Sequence, residues 1–196
     1  MLRRLAYFPR LLVRRFKQNT DGAAALEFAL LLPILLFLYL AVVEICMAFM
    51  VKRRVSHATS QIADIVAQGD VVTKSTLNGY FDVANMIMTP FSGSPLQVRV
   101  SSIGKNAQGV VVVQWSHGRG ISALTKGSVV PAASVPAGLL NNNTDTYILA
   151  ESVYGYDSPY DITVPGYGDL LSGITTFRRE FYLRPREIAS ITCSDC

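Results

Sequence analysis

Residues 23–51 read AAALEFALLLPILLFLYLAVVEICMAFMV, and this stretch decides the fold. Its centre, residues 28–43, carries no charged side chain. At about 1.5 Å per residue, a helix of this length exceeds the roughly 30 Å hydrocarbon core of a bilayer, and its many Leu, Ile, Phe and Val residues favour insertion. The stretch therefore predicts one transmembrane helix over residues 23–51. We expect a kink at Pro33, because proline removes a helix hydrogen bond.

The charges that flank this helix predict its orientation. The first 22 residues hold six basic residues and one acid, a charge of +5, so with +4 overall the rest of the chain sums to −1. The basic excess thus belongs to a short leader, and no nucleic-acid partner is expected. Only three basic residues, Lys52, Arg53 and Arg54, follow the helix. Because the more basic flank stays in the cytoplasm, we predict a cytoplasmic N-terminus and a periplasmic C-terminal domain.

The junction between leader and helix, residues 21–28, reads DGAAALEF. The basic leader ends at Gly22, the apolar helix begins at once, and one carboxylate, Glu27, follows five residues later. A glutamate at the edge of a hydrocarbon span is costly unless it has a partner. Two interpretations remain open from the residues alone. Glu27 is either a snorkelling acid favoured by the helix dipole, or, after cleavage at Gly22, the partner of the new Ala23 ammonium.

Taken together, these features resemble the processing site of type IV prepilins and, more narrowly, the TadE-like domain. That family typically begins Gly-Ala-Ala-x-x-Glu-Phe-Ala, with a proline a few residues on and a second glutamate late in the helix. The resemblance covers roughly residues 20–70 and continues more loosely through the outer domain. The residues that carry it here are Gly22, Glu27, Phe28, Ala29, Pro33, Glu44 and Ala58.

The resemblance implies a minor pilin-like subunit, a pseudopilin, of the Tad (Flp) pilus assembly machinery in the bacterial inner membrane. A prepilin peptidase would cleave between Gly22 and Ala23, so the chain is expected to be a substrate and not an enzyme, with no cofactor. Its partners would be the inner membrane, the peptidase, and other pilins or pseudopilins. The residues expected in subunit packing are Glu27, Phe28, Pro33 and Glu44. The alternative is an unprocessed single-pass anchor that serves as a binding or adaptor protein of the cell envelope.

The two glutamates are expected to differ. Glu27 lies at the start of the span, where an acid must be paired, hydrated or neutralised. Glu44 is nearer the outer face, where we expect water to reach it. We therefore expect Glu44→Gln to be tolerated better than Glu27→Ala.

The chain divides into four predicted parts: a leader over residues 1–22, the transmembrane helix over 23–51, a helical stalk over 52–90, and an extracytoplasmic β-rich domain over 91–196. In the stalk, apolar residues recur at helical spacing and Gly69 is a good helix end. Thr73 is a candidate cap for a second helix that stops before Pro90. The residues of the two apolar stripes are Val55, Ala58, Ile62, Ile65 and Val66, and then Leu77, Phe81, Ala84 and Met88.

Strand patterns dominate the rest of the chain. Residues 105–109 are expected to form a hairpin loop, and the Gly-, Ser- and Pro-rich residues 116–145 a long loop. We predict an α+β fold in which the long N-terminal transmembrane and stalk helix packs on a small, mostly antiparallel sheet, as in pilin-like rolls. The four predicted strands are 96–103, 110–115, 146–156 and 174–183.

The cysteines and histidines show no metal-binding spacing, so no metal is expected. Cys193 and Cys196 leave two interpretations, a local disulfide or two free thiols, and we predict that they are at least partly joined outside the cytoplasm. Two further groups have no assigned role. They are the tyrosines at 154, 156, 160 and 167, and the arginines at 178, 179, 184 and 186, which we expect on an exposed strand face.

Overall fold

The structure is a computed structural model that describes residues 22–131, 135–136, 138–140, 142, 144–158, 163–164, 168–169 and 176–196. Of the predicted leader, only Gly22 falls among these residues. The chain forms two compact units, Met1–Ile45 and Cys46–Cys196, which are taken in turn below.

The described part of the first unit is the beginning of helix α1, which spans Ala23–Ala67 and continues through Pro33. Every side chain from Ala23 to Tyr39 is exposed. In the part of the chain that the structure describes, α1 is the one helix long and apolar enough to cross a membrane. A helix that is apolar all round and uncovered by its own chain is what a membrane span requires.

In the second unit, the rest of α1 buries one face. Val55, Ala58 and Ile62 are at most 1% exposed, so the predicted apolar stripe is confirmed. Ala48 and Val51, at 5% and 0% exposed, belong to the same core. The predicted transmembrane stretch and the domain core therefore overlap in sequence, because the same apolar side chains suit either environment.

A second helix, α2, spans Lys74–Ile87 and is capped by Thr73 as predicted, since the Thr73 hydroxyl accepts a 3.1 Å hydrogen bond from the Thr76 amide. Its buried residues are Leu77, Phe81 and Ala84.

The sheet confirms the predicted α+β class. Within the described ranges, the strands are β1 (Val71–Val72), β2 (Leu96–Lys105), β3 (Val111–Arg119), β4 (Thr146–Gly155), β5 (Thr163–Val164), β6 (Gly168–Asp169), β7 (Thr176–Leu183) and β8 (Thr192–Cys193). Four of them form an antiparallel sheet in the order β3-β2-β4-β7. Strands β1 and β8 pair in parallel, and β5 pairs with β6.

Both faces of the sheet are covered. Successive residues of a strand point to opposite faces, and in β4 Ile148 and Ala150 join the core formed with α1 and α2. Tyr147 and Leu149 join a second cluster, against which Leu124 and other residues of the segment between β3 and β4 pack. This segment therefore acts as a lid on the sheet face that the helices leave open.

The predicted end of β3 was wrong. The strand continues four residues past Trp115, to Arg119. Its polar residues are held by partners distant in sequence: Ser116 by Ser101, His117 by Asn78, and Arg119 by Asp82. A pattern of Gly, Ser and His without these partners is typical of a loop.

Candidate functional site

The described residues of the predicted cleavage junction, from Gly22 onward, are exposed. Helix α1 begins at Ala23, directly after Gly22, and the Leu26 amide donates a 3.1 Å hydrogen bond to the Gly22 carbonyl. A Cβ atom built on Gly22 meets nothing among the described residues within 4 Å, and its φ is not in the left-handed region. The described neighbours therefore do not require glycine at position 22.

The first turns of α1 present their side chains outward. Glu27 is exposed and has no hydrogen bond or ion pair among the described residues, while Phe28 is 59% exposed. Ala23 and Glu27 lie four positions apart, so they are neighbours on one helix face, separated by about 6 Å along the axis. Glu27 is thus available to a partner from outside the described chain or to a charge at Ala23.

The exposure of Glu44 differs from what we expected. It is 2% exposed, so the argument that water reaches this side chain is wrong. Its Oε2 atom has no hydrogen-bond partner among the described residues. A carboxyl group buried in this way is not on an open surface of the single chain, unlike Glu27. Burial of Glu44 depends on how the chain folds around it, which the helical pattern does not reveal.

The C-terminal segment, residues 184–196, forms a strap over the second unit that we did not predict. The Arg186 amide donates a 3.0 Å hydrogen bond to the Ala67 carbonyl, the last residue of α1. Further along, the Trp115 indole donates a 2.7 Å bond to the Ile191 carbonyl, and Ile191 itself is fully buried. The strap then adds β8 to β1, pairing Thr192 with Val71. Its polar, irregular sequence contains no periodic pattern that would have identified it.

The strap ends in a disulfide between Cys193 and Cys196, whose Cα atoms are 5.5 Å apart. Of the two interpretations left open by the sequence, the structure has the joined cysteines. Asp195 lies between them, and its carboxylate with the two sulfurs forms a group of the size of a metal site. Because the disulfide occupies both sulfurs, neither is available as a thiolate ligand. Cys46 is free and exposed.

The tyrosine and arginine groups are separated by the fold. Tyr154 is buried and its hydroxyl donates a 3.0 Å bond to the Ser92 carbonyl, so it is a packing residue. Arg178 and Arg179 lie on β7, but Arg184 and Arg186 follow it, and the expected common strand face is wrong. Arg184 bonds the Gly138 and Leu139 carbonyls, and Arg186 pairs with Asp64. Tyr160 and Tyr167 lie outside the described residues.

The surroundings of His117, in the second unit, shift its pKa. His117 stacks on Phe81 with ring centroids 5.8 Å apart, and its Nε2 lies 3.1 Å from the Asn78 amide oxygen. Burial, followed by the charge of Lys74, lowers the pKa of His117 below its usual 6.5, with Asp195 acting in the opposite direction. This is a packed histidine, and nothing among the described residues places a nucleophile beside it.

Comparison with known proteins gives one match, to a protein family. The TadE-like protein family matches residues 22–64, a match that begins at Gly22 and extends almost to the end of α1. It confirms the resemblance carried by Gly22, Glu27 and Pro33. Together with the apolar part of α1, the match supports a single-pass, membrane-anchored protein. No curated protein and no solved structure gives a significant match to the chain.

Proposed function

We propose that this chain is a pseudopilin, a minor pilin-like subunit used in Tad/Flp pilus assembly, and that a prepilin peptidase removes its leader between Gly22 and Ala23. One observation carries the proposal. The TadE-like match begins at Gly22, the residue at which the basic leader meets an exposed apolar helix.

The local geometry supports Gly22 as a recognition residue. A side chain at this position would meet no atom of the described residues within 4 Å, so glycine there does not serve packing against them. A requirement for glycine would then come from an enzyme that must approach the backbone closely. The peptide bond after it is at the first residue of α1, where the helix leaves amides unbonded and accessible.

After cleavage, the mature chain would begin with the ammonium of Ala23, one turn before Glu27. In a low-dielectric setting, this pair stabilises only when its geometry is close, and the loss of one partner is costly. Pairing between adjacent subunits would therefore favour one axial register of packed helices. Phe28 and Pro33, on the exposed part of α1, would supply apolar contacts to the same packing.

The proposal is tested by the N-terminus of the mature protein. The full chain is produced in cells with and without a prepilin peptidase and extracted from the membrane, and its first residues are sequenced. We expect Ala23 as the first residue only with the peptidase. A chain that still starts at Met1 when an active peptidase is present would favour the unprocessed adaptor.

A glycine substitution sharpens the test. Gly22→Val should block cleavage and leave membrane insertion intact, because the apolar part of α1 is unchanged. Gly79→Val is the matched control, since a side chain at Gly79 also meets nothing within 4 Å, and it should be cleaved like the wild type. Normal cleavage of Gly22→Val would remove the proposed processing site.

A further inference from the structure

A groove of about 540 Å³ lies on the second unit, where α1 meets the turn after α2. Five of its lining residues come from α1 and two from the turn. They are Met47, Met50, Arg53, Arg54 and His57, with Pro90 and Phe91.

The groove is basic, and none of its lining residues is an acid. Residues 45–63 contain Lys52, Arg53 and Arg54 but no Asp or Glu, and residues 86–95 contain no charged residue. Arg53 is exposed and has no hydrogen bond or ion pair within the described ranges. Arg54 donates a 2.9 Å hydrogen bond from Nη1 to the Ile87 carbonyl, which fixes its guanidinium at the groove wall. Two guanidinium groups without a carboxylate partner favour an anionic ligand.

The other walls of the groove are apolar and well anchored. Met50 is 49% exposed, and Met47 and Phe91 are partly buried against the core. The turn that carries Phe91 is held by the hydrogen bond from Tyr154 to Ser92 and by the buried Met88. Methionine side chains adapt to irregular apolar ligands. The ligand therefore combines an anionic group with a hydrocarbon part.

We infer that this groove binds an anionic phospholipid, with the phosphate diester on Arg53 and Arg54 and the start of an acyl chain against Met50 and Phe91. Met47, the first residue that lines the groove, lies two positions after Ile45. Ile45 is the last residue of the unit that contains the exposed apolar part of α1. A basic cluster that directly follows a membrane span meets lipid headgroups. A free phosphate ion would bind the arginines but would gain nothing from contact with the apolar wall.

This inference requires a membrane anchor but neither leader cleavage nor pilus assembly. Its failure would therefore leave the pseudopilin proposal unaffected, and the reverse also holds. The full chain is reconstituted in nanodiscs of equal parts phosphatidylcholine and phosphatidylglycerol. It is then released into detergent, and the lipids that remain bound are counted by native mass spectrometry. We expect retained phosphatidylglycerol to exceed phosphatidylcholine. Equal retention of the two lipids in the wild type would overturn the inference.

Variants locate the site. A basic residue near an anionic surface contributes about 1 kcal/mol, or roughly fivefold in affinity, so Arg53→Gln should lower phosphatidylglycerol retention by about fivefold. Arg53 has no hydrogen bond or ion pair with the described residues, so we expect its replacement to leave the fold unchanged. Arg178→Gln with Arg179→Gln removes two charges from β7 and should have no effect. An equal loss in this control would indicate a response to net charge alone and would contradict a site at the groove.

Two further arms identify the ligand. Met50→Gln keeps both arginines and should still lower phosphatidylglycerol retention, because it makes the apolar wall polar. Inorganic phosphate at millimolar concentration should not displace the lipid. Complete displacement by phosphate, or unchanged retention in Met50→Gln, would assign the groove to a free anion and overturn the lipid inference.

Discussion

The carboxylate of Asp195 accepts a 2.8 Å hydrogen bond from the backbone amide of Lys74, the first residue of α2. The two residues are 121 positions apart in the chain. The first turn of α2 contains no acidic residue, so Asp195 supplies the negative charge that the positive end of a helix dipole favours. The strap thereby connects the end of the described chain to the start of a core helix.

Asp195→Ala should lower the free energy of unfolding by about 1 kcal/mol, because one amide of α2 loses its partner and the dipole loses its compensating charge. Urea unfolding of the full chain in detergent, followed by circular dichroism, measures the change. Asp157→Ala, at an exposed acid, is the matched control and should have little effect. Equal stability of the two variants would show that Asp195 is only a surface acid.

The Cys193–Cys196 bond should be present in protein extracted without reductant, as a mass 2 Da lower per chain than after reduction, the difference of two hydrogens. The closed loop is very short, so Cys193→Ser with Cys196→Ser should cost less than the roughly 3 kcal/mol of a 15-residue loop. Labelling of intact cells gives the orientation. Thiols at both positions that react fully with an alkylating reagent in unreduced membrane extracts would contradict an oxidising, extracytoplasmic location.

Arg99 and Glu151 form a bidentate ion pair across β2 and β4, with N–O distances of 2.7 and 2.8 Å. Their side chains are only 16% and 12% exposed. Removal of one partner leaves a poorly hydrated charge, so Glu151→Gln should lower the free energy of unfolding by about 2 kcal/mol, somewhat less than for a fully buried pair. The more exposed pair of Arg119 and Asp82 is the control.

Asp82→Asn should cost less than about 1 kcal/mol, as for other exposed pairs. Thermal or urea unfolding of the two variants, side by side, makes the comparison. A larger loss for Asp82→Asn than for Glu151→Gln would contradict the role of burial in ranking the two pairs.

The stability of the second unit should fall as the pH is lowered through the range below the usual histidine pKa of 6.5, because the pKa of His117 is lowered in the folded state. Between the folded and unfolded pKa values, the unfolded chain binds more protons, so acid favours unfolding and the His117 contribution is complete only above this range. Unfolding midpoints measured from pH 5 to 8 test this. His117→Gln should flatten the profile, whereas the exposed His57→Gln should not.

Glu27→Ala should leave insertion and leader cleavage nearly normal but impair association with partner pilins, because the Ala23 ammonium loses its proposed partner. Crosslinking or co-purification with other pilus components measures association. Glu44→Gln tests a helix acid that is buried within the chain and should associate more nearly as the wild type does. If Glu27→Ala associates as well as the wild type, Glu27 is a helix-end acid and the register argument fails.

The sequence alone determined the elements whose information is local. The apolar run of α1, the Thr73 cap, the hairpin at 105–109 and the four main strands all follow from periodicity, capping or turn residues that lie within a few positions of each other. The pattern of Gly22 and Glu27 that resembles a prepilin processing site was recognisable for the same reason, because its spacing is read along one helix.

The tertiary structure alone decided how distant segments meet. The strap, the extension of β3 to Arg119 and the groove beside Arg53 depend on partners that are not adjacent in the chain. The bond from Trp115 to Ile191 spans 76 positions, and the pair of Asp195 and Lys74 spans 121. A local pattern records the preference of one element for burial or turning. It does not specify which distant carbonyl or charged group becomes the partner of a given residue after the elements pack.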